Sequence, residues 1–292
     1  MCQGSGNAAG NLCRRSGNTS ITRVPPFGRR EDDRTPCWLG GFGVVASVTS
    51  DPALTRRPRR RRRVLALVAV LLLALGAIWG IRLWQLSQSV EEYAAWWAQP
   101  RGEPGGLTYV ALGDSAAQGI GASAPDRGYV GRMADQLRAA TGQPVLVINI
   151  SRTGATIRQT IQEQLPRLVG MRADVITIDI GSNDIAGYDP ARYEQDVTEL
   201  IRGLPAGTVI ADIPYFMHGR AQEDAEQAAA VIRAAALPRG LVVAPLQERT
   251  RARGWWSMFT DYAADWFHPN DRGYQVWAEA FWSVLGPRVP RR

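Results

Sequence analysis

The chain has 292 residues, 34 basic and 27 acidic, a formal net charge of +7, and every cation is arginine. Cutting it at Arg63/Val64 leaves 13 arginines and four acids before the cut, a net of +9, and 21 arginines and 23 acids after it, a net of −2. Nucleic-acid binding needs cations clustered on the folded surface, and the folded part is slightly acidic, so no nucleic-acid partner is expected.

Residues 1–63 read as a basic tail, disordered through about residue 55, rich in Gly, Ser, Asn, Thr and Pro without an apolar period. All three cysteines (Cys2, Cys13, Cys37) fall in it, and the chain has only two histidines, His218 and His268. A zinc site of several His or Cys ligands therefore has no ligand set in the C-terminal part. No metal and no cofactor is expected, although carboxylate-held magnesium or calcium is not excluded by composition.

Seven arginines and Pro58 fill the eight positions Arg56 to Arg63, and the next 18 residues, Val64–Ile81, carry no charge. Eighteen helical residues rise about 27 Å, close to the ~30 Å hydrocarbon core of a bilayer. Trp79 and Trp84 sit at the far edge, and Arg82 ends the run. The segment reads as a transmembrane signal anchor, with the arginines inside and everything after residue 82 outside. No clean A-x-A cleavage site follows it, which favours an uncleaved anchor over the alternative, secretion after cleavage. Residues 82–106 read as a stalk, beginning as a helix over Leu83–Trp97 and ending in a flexible hinge, Pro100–Gly106.

From Leu107 the pattern alternates. Short apolar, β-branched runs occur at Leu107–Leu112, Val145–Ile150, Val175–Ile180, Thr208–Ile213 and Leu241–Ala244. Helical stretches lie between them at about 128–141, 157–169, 190–203 and 221–236, and a last helix over 271–285 is bounded by Asn270 and Gly286-Pro287. This predicts one α/β domain over residues 107–286: a three-layer α/β/α, flavodoxin-like, doubly wound parallel sheet of about five strands, preceded by one transmembrane helix and followed by a tail, 287–292.

Ligands of such sheets bind at the carboxyl ends of the strands, so the residues after each strand carry the chemistry. They are Gly113-Asp114-Ser115-Ala116-Ala117-Gln118-Gly119, then Ser151-Arg152-Thr153-Gly154-Ala155-Thr156, then Gly181-Ser182-Asn183-Asp184, and last Asp265-Trp266-Phe267-His268-Pro269-Asn270. Ser115 lies two residues after Gly113 at a strand end, where a glycine allows a tight turn. A serine hydroxyl is a weak nucleophile until a base takes its proton. His268 is one of two candidate bases, and Asp265 lies three residues before it, within reach of its other ring nitrogen. Asp114 and Asp184 read as structural carboxylates bonding local backbone.

These blocks, in this order, resemble the SGNH/GDSL hydrolase family over about residues 107–286, through G-D-S-x-x-x-G, G-x-N-D and D-x-x-H. The resemblance implies Ser115, Asp265 and His268 as the catalytic residues. It implies an oxyanion hole from the backbone N–H groups of Ser115 and Gly154 and the side-chain amide of Asn183. The expected activity is a serine esterase acting on acyl or acetyl esters of lipids, sugars or small alcohols. Two alternatives stand beside it: an O-acyltransferase that uses the same acyl-enzyme on a cell-envelope acceptor, and a catalytically silent surface binding module.

Three further features have blander readings. Gly119-Ile120-Gly121-Ala122-Ser123-Ala124 fits a dinucleotide pattern but lies six residues beyond the strand end, with no acid ending the second strand. His218 reads as a loop histidine. The aromatics Trp255, Trp256, Phe259, Tyr262, Trp266 and Phe267 read equally as an acyl-binding wall or as loop packing.

Overall fold

The computed structural model describes residues 57–217 and 219–290, so the tail with its cysteines, and His218, lie outside the described residues. The five β-branched runs become five parallel strands of one sheet. In chain order the elements are α1 (Arg57–Trp97), β1 (Arg101–Gly102), β2 (Leu107–Gly113), α2 (Ser115–Gln118), α3 (Tyr129–Thr141) and β3 (Val145–Asn149). Then come α4 (Ile157–Glu163), α5 (Leu165–Leu168), β4 (Val175–Asp179), α6 (Pro190–Gly203), β5 (Val209–Ala211) and α7 (Arg220–Ala236). The chain ends with β6 (Val242–Ala244), α8 (Leu246–Arg251), α9 (Ser257–Thr260) and α10 (Asp271–Leu285).

The strand order is β1-β3-β2-β4-β5-β6, with β1 the one antiparallel strand. The parallel strands thus follow the flavodoxin-like order, and their carboxyl ends open at the β2 switch point. Strand β2 shows why the sheet is buried on both sides. Tyr109 and Ala111 pack with α3 and α10, whereas Val110 and Leu112 pack with α4, α6 and α7. Successive side chains of a strand point to opposite faces, so an uncharged run fills two cores at once. The helix boundaries follow their caps: Asn270 Oδ1 accepts from the N–H groups of Arg272 and Gly273, and Asp189 accepts from Arg192.

One expectation is corrected. Residues 82–106 are not a free stalk ending in a hinge. Helix α1 runs unbroken to Trp97, and Ser89, Tyr93 and Trp97 are buried. Tyr93 donates to the Ala122 carbonyl at 2.8 Å and Trp97 Nε1 to the Gln118 carbonyl at 3.0 Å. Arg101 and Gly102 then pair with Val147 and Leu146 as an edge strand. Burial of two large aromatics and closure of a sheet edge hold this segment on the domain. The tail after residue 286 is likewise anchored, because Val289 joins the core. By contrast, the described side chains from Arg59 to Arg82 are all exposed, and α1 is long and apolar enough to cross a membrane, with a mean hydropathy of 2.8 over its most apolar window.

Candidate active site

Three strand ends and the loop before α10 converge on one cleft. Ser115 is the first residue of α2, directly after β2. Its predecessor Asp114 caps that helix, Oδ1 accepting from the Ala116 N–H at 2.9 Å. Gly113 has φ +139°, and a Cβ there would stand 2.2 Å from the Asp179 carbonyl oxygen, so the turn that presents Ser115 requires glycine. The Gln164 side chain clamps the same peptide from both sides, accepting from Gly113 N–H at 2.9 Å and donating to Gly113 carbonyl at 2.8 Å.

His268 Nε2 lies 2.9 Å from Ser115 Oγ, and His268 Nδ1 lies 2.5 Å from Asp265 Oδ2. Asp265 Oδ1 accepts from the backbone N–H groups of Phe267 and His268 at 3.1 and 3.0 Å, which fixes the carboxylate on the loop that carries its partner. Burial alone would raise the Asp265 carboxyl, but the hydrogen bond and charge of His268 and the two backbone donors outweigh it and hold it below its ordinary value. An ionised Asp265 assigns the Nδ1 proton, leaving Nε2 as acceptor for the serine hydroxyl. Ser115 is buried, and the histidine and aspartate are mostly so, which strengthens these contacts.

Of the three expected oxyanion donors, Asn183 is tied to the serine turn through Asp114, the neighbour of Ser115. Among the described residues the N–H groups of Ser115 and Gly154 donate to no acceptor. The Asn183 amide is bonded to Asp114 Oδ2 at 3.1 Å and to the Ala155 carbonyl at 3.0 Å. The block carrying Gly154 is tied to α2 by side chains that sequence reasoning passed over. Gln118 Nε2 donates to the Ser151 carbonyl at 3.0 Å, and Asn149 Nδ2 to the Ala117 carbonyl at 2.7 Å. Polar residues at the end of an apolar strand were the available signal.

Asp114 bonds local backbone as expected, but Asp184 reaches across 27 residues, accepting from the Ile157 N–H at 3.2 Å. Burial pushes both carboxyls up to about 6. A further carboxyl was missed: Asp179, the single acid of β4, is buried at the cleft floor and accepts from Trp277 Nε1 at 2.9 Å. Burial, then the Asp114 charge, raises it well above the carboxylate range. The dinucleotide-like glycines are explained by packing: at Gly121 a Cβ would lie 2.5 Å from the Pro269 carbonyl and 2.9 Å from His268 Cβ. The cleft over Ser115 is walled by Tyr215, Phe216, Met258, Tyr262, Trp266 and Phe267, whereas Trp255, Trp256 and Phe259 do not line it and form an exposed face. Among the described residues no His, Cys, Asp or Glu group is arranged to hold a metal ion.

The family model for the GDSL-like Lipase/Acylhydrolase family matches residues 111–276. No curated protein matches the sequence. Similar solved structures include LAE5, an alpha/beta hydrolase enzyme from the metagenome of Lake Arreo, Spain (21% identity, 63% of this chain and 97% of that chain, TM-score 0.53). A catalytic mutant of Axe2, an acetylxylan esterase from Geobacillus stearothermophilus, is 21% identical over 62% of this chain and 94% of that chain, with a TM-score of 0.51. TesA is 23% identical over 62% of this chain and 98% of that chain, with a TM-score of 0.51. At these identities the likeness is one of fold.

Proposed function

The chain belongs to the GDSL-like lipase/acylhydrolase family and is a carboxylic ester hydrolase, and from that premise we propose that Ser115 is its nucleophile, His268 its general base and Asp265 the group that orients the base. The observation that carries this reading is the single hydrogen-bonded line from Asp265 through His268 to Ser115 Oγ. Ser115 Oγ attacks the ester carbonyl while Nε2 takes its proton. The carbonyl oxygen becomes an oxyanion held by the N–H groups of Ser115 and Gly154 and the Asn183 amide. The tetrahedral intermediate collapses, His268 returns the proton to the departing alcohol, and an acyl-Ser115 remains. Water, deprotonated by the same Nε2, attacks the acyl carbon, and a second collapse releases the acid and regenerates the serine.

The substrate class in this reading is an acyl or acetyl ester of a lipid, sugar or small alcohol. The enzyme is held by Val64–Ile81 as a single-pass membrane protein, with its arginines on the cytoplasmic side and the hydrolase domain outside. The test is hydrolysis of p-nitrophenyl acetate and butyrate by the full chain in detergent, wild type against Ser115→Ala. The substitution should cut turnover by about four orders of magnitude or more, and equal rates would overturn the assignment. A reporter fused after Arg292 should be active only on the outer side of the membrane.

A further inference from the structure

Five large aromatics of one loop, Trp255, Trp256, Phe259, Trp266 and Phe267, are between 45% and 61% exposed. They are not scattered. Trp255 stacks on Trp256 with centroids 3.9 Å apart, Trp256 meets Phe259 at 5.9 Å, and Phe259 meets Trp266 at 5.4 Å. A contiguous apolar patch on a domain surface marks an interaction site.

Its position relative to α1 says what covers it. The domain is fixed along the last turns of α1 by the buried Tyr93 and Trp97. One further contact lies much lower on the same helix: Trp79 Nε1 donates to the Ala264 carbonyl at 3.0 Å. Trp79 is the sixteenth of the 18 residues of the uncharged span, so the aromatic loop stands level with the end of that span. The remaining 18 residues to Trp97 rise about 27 Å, which places the rest of the domain above the loop. A tryptophan-rich surface at the end of an apolar helix has the chemistry of the membrane–water interface, where amphipathic rings sit among the headgroups. Arg82 and Arg272 line the groove between the loop and α1 together with Glu92 and Asp271, so its charged rim is mixed.

We propose that the 255–267 aromatic loop is seated in the headgroup layer of the bilayer that holds α1, and that ester substrates reach Ser115 from that layer. Met258, Tyr262 and Trp266 line both the groove beside α1 and the cleft over Ser115, so one wall leads from the lipid surface to the nucleophile. Phe267 meets the His268 ring edge-on at 5.0 Å, joining the patch to the base. The inference rests on the membrane-anchored hydrolase reading above and names the lipid surface as its substrate source.

The first test needs no catalysis. In the full chain with Cys2, Cys13 and Cys37 replaced by Ser, Trp256→Cys carries an NBD fluorophore, and the protein is placed in phosphatidylcholine–phosphatidylglycerol nanodiscs. A nitroxide on the lipid headgroup should quench the dye, and absence of quenching overturns the proposal. The second test uses the triple variant Trp255→Ser, Trp256→Ser, Phe259→Ser in vesicles of the same lipids. Turnover of soluble p-nitrophenyl acetate should be unchanged, while turnover of vesicle-borne p-nitrophenyl palmitate falls about tenfold or more, because interfacial apolar burial is lost. Unchanged turnover of both esters overturns the proposal. If the soluble ester also falls, the quenching measurement decides. A wild-type chain that cleaves neither ester instead overturns the hydrolase reading, which the dye does not report on.

Discussion

Asn183 Nδ2 donates to Asp114 Oδ2 and to the Ala155 carbonyl, so both N–H groups of this amide are already engaged. An oxyanion that recruits Asn183 therefore takes it from Asp114, the residue that also caps the helix beginning at Ser115. The exchange is between two anionic acceptors, and it is favoured only when the developing oxyanion carries more charge than the ground-state carbonyl. That is the requirement for a donor that acts in the transition state. Asn183→Ala should lower kcat about 10² to 10³-fold with little change in KM, measured with a soluble p-nitrophenyl ester. A change confined to KM would remove Asn183 from the oxyanion hole.

Asp265 makes its bonds in a fixed sense: Oδ1 takes two backbone N–H groups and Oδ2 faces His268 Nδ1. In Asp265→Asn the amide oxygen is held by those backbone donors, so the NH2 faces Nδ1. The imidazole proton then moves to Nε2, which no longer accepts from Ser115. Turnover should fall about 10² to 10⁴-fold while the thermal unfolding midpoint stays close to wild type. Retained turnover would show that Asp265 does not set the tautomer.

Buried carboxyls give the fold a pH dependence opposite to that of salt-bridged ones. Asp114 and Asp184 are each raised from 3.8 to about 6 by burial, so between those values the native chain holds more protons than the unfolded one. Stability therefore falls as pH rises through that window; the share from these two groups is lost by about pH 6, and Asp179, raised further by burial, extends the fall to higher pH. Asp265, lowered in the fold, acts in the other direction at more acidic pH. The unfolding midpoint of the full chain in mild detergent should drop between about pH 4 and pH 6, and Asp114→Asn should flatten that drop. An Asp114→Asn profile parallel to wild type would refute the assignment.

Much of this architecture is legible in the sequence because buried parallel strands are uncharged and their exits are punctuated. Helix α6 begins at Pro190 after Asp189, and α10 begins at Asp271 after Asn270, where side-chain caps define the boundary within the local sequence. The blocks after β2, β3 and β4 were legible for the same reason, since the sheet topology sets those strand ends side by side, whereas Asp265 and His268 come from the loop before α10. What escaped depends on long-range contact. Gln164 closes on Gly113 across 51 residues, and nothing local marks it. Asp179 was visible as an acid within an apolar strand, but its partner Trp277 lies 98 residues away. The docking of α1 did leave a trace, since Ser89, Tyr93 and Trp97 recur at a helical spacing of four. The glycines and prolines after residue 99 read as a hinge and outweighed it.

That docking makes the hydrolase domain depend on residues before it. Trp97 and Tyr93 are nearly fully buried, and each bonds a backbone carbonyl at or just after the end of α2: Trp97 reaches Gln118, its last residue, and Tyr93 reaches Ala122. Gly121, between those two residues, lies against His268 and Pro269. A chain starting at Leu107 loses both aromatics, leaves the Gln118 and Ala122 carbonyls without these donors and frees the backbone behind the base. Removing one large buried aromatic costs about 3–5 kcal/mol, so this truncation should unfold well below the full chain and lose turnover. A chain starting at Leu83 keeps every one of these contacts and should retain the full chain's turnover of soluble esters. Equal midpoints for the two truncations would mean that α1 contributes nothing to the domain it packs against.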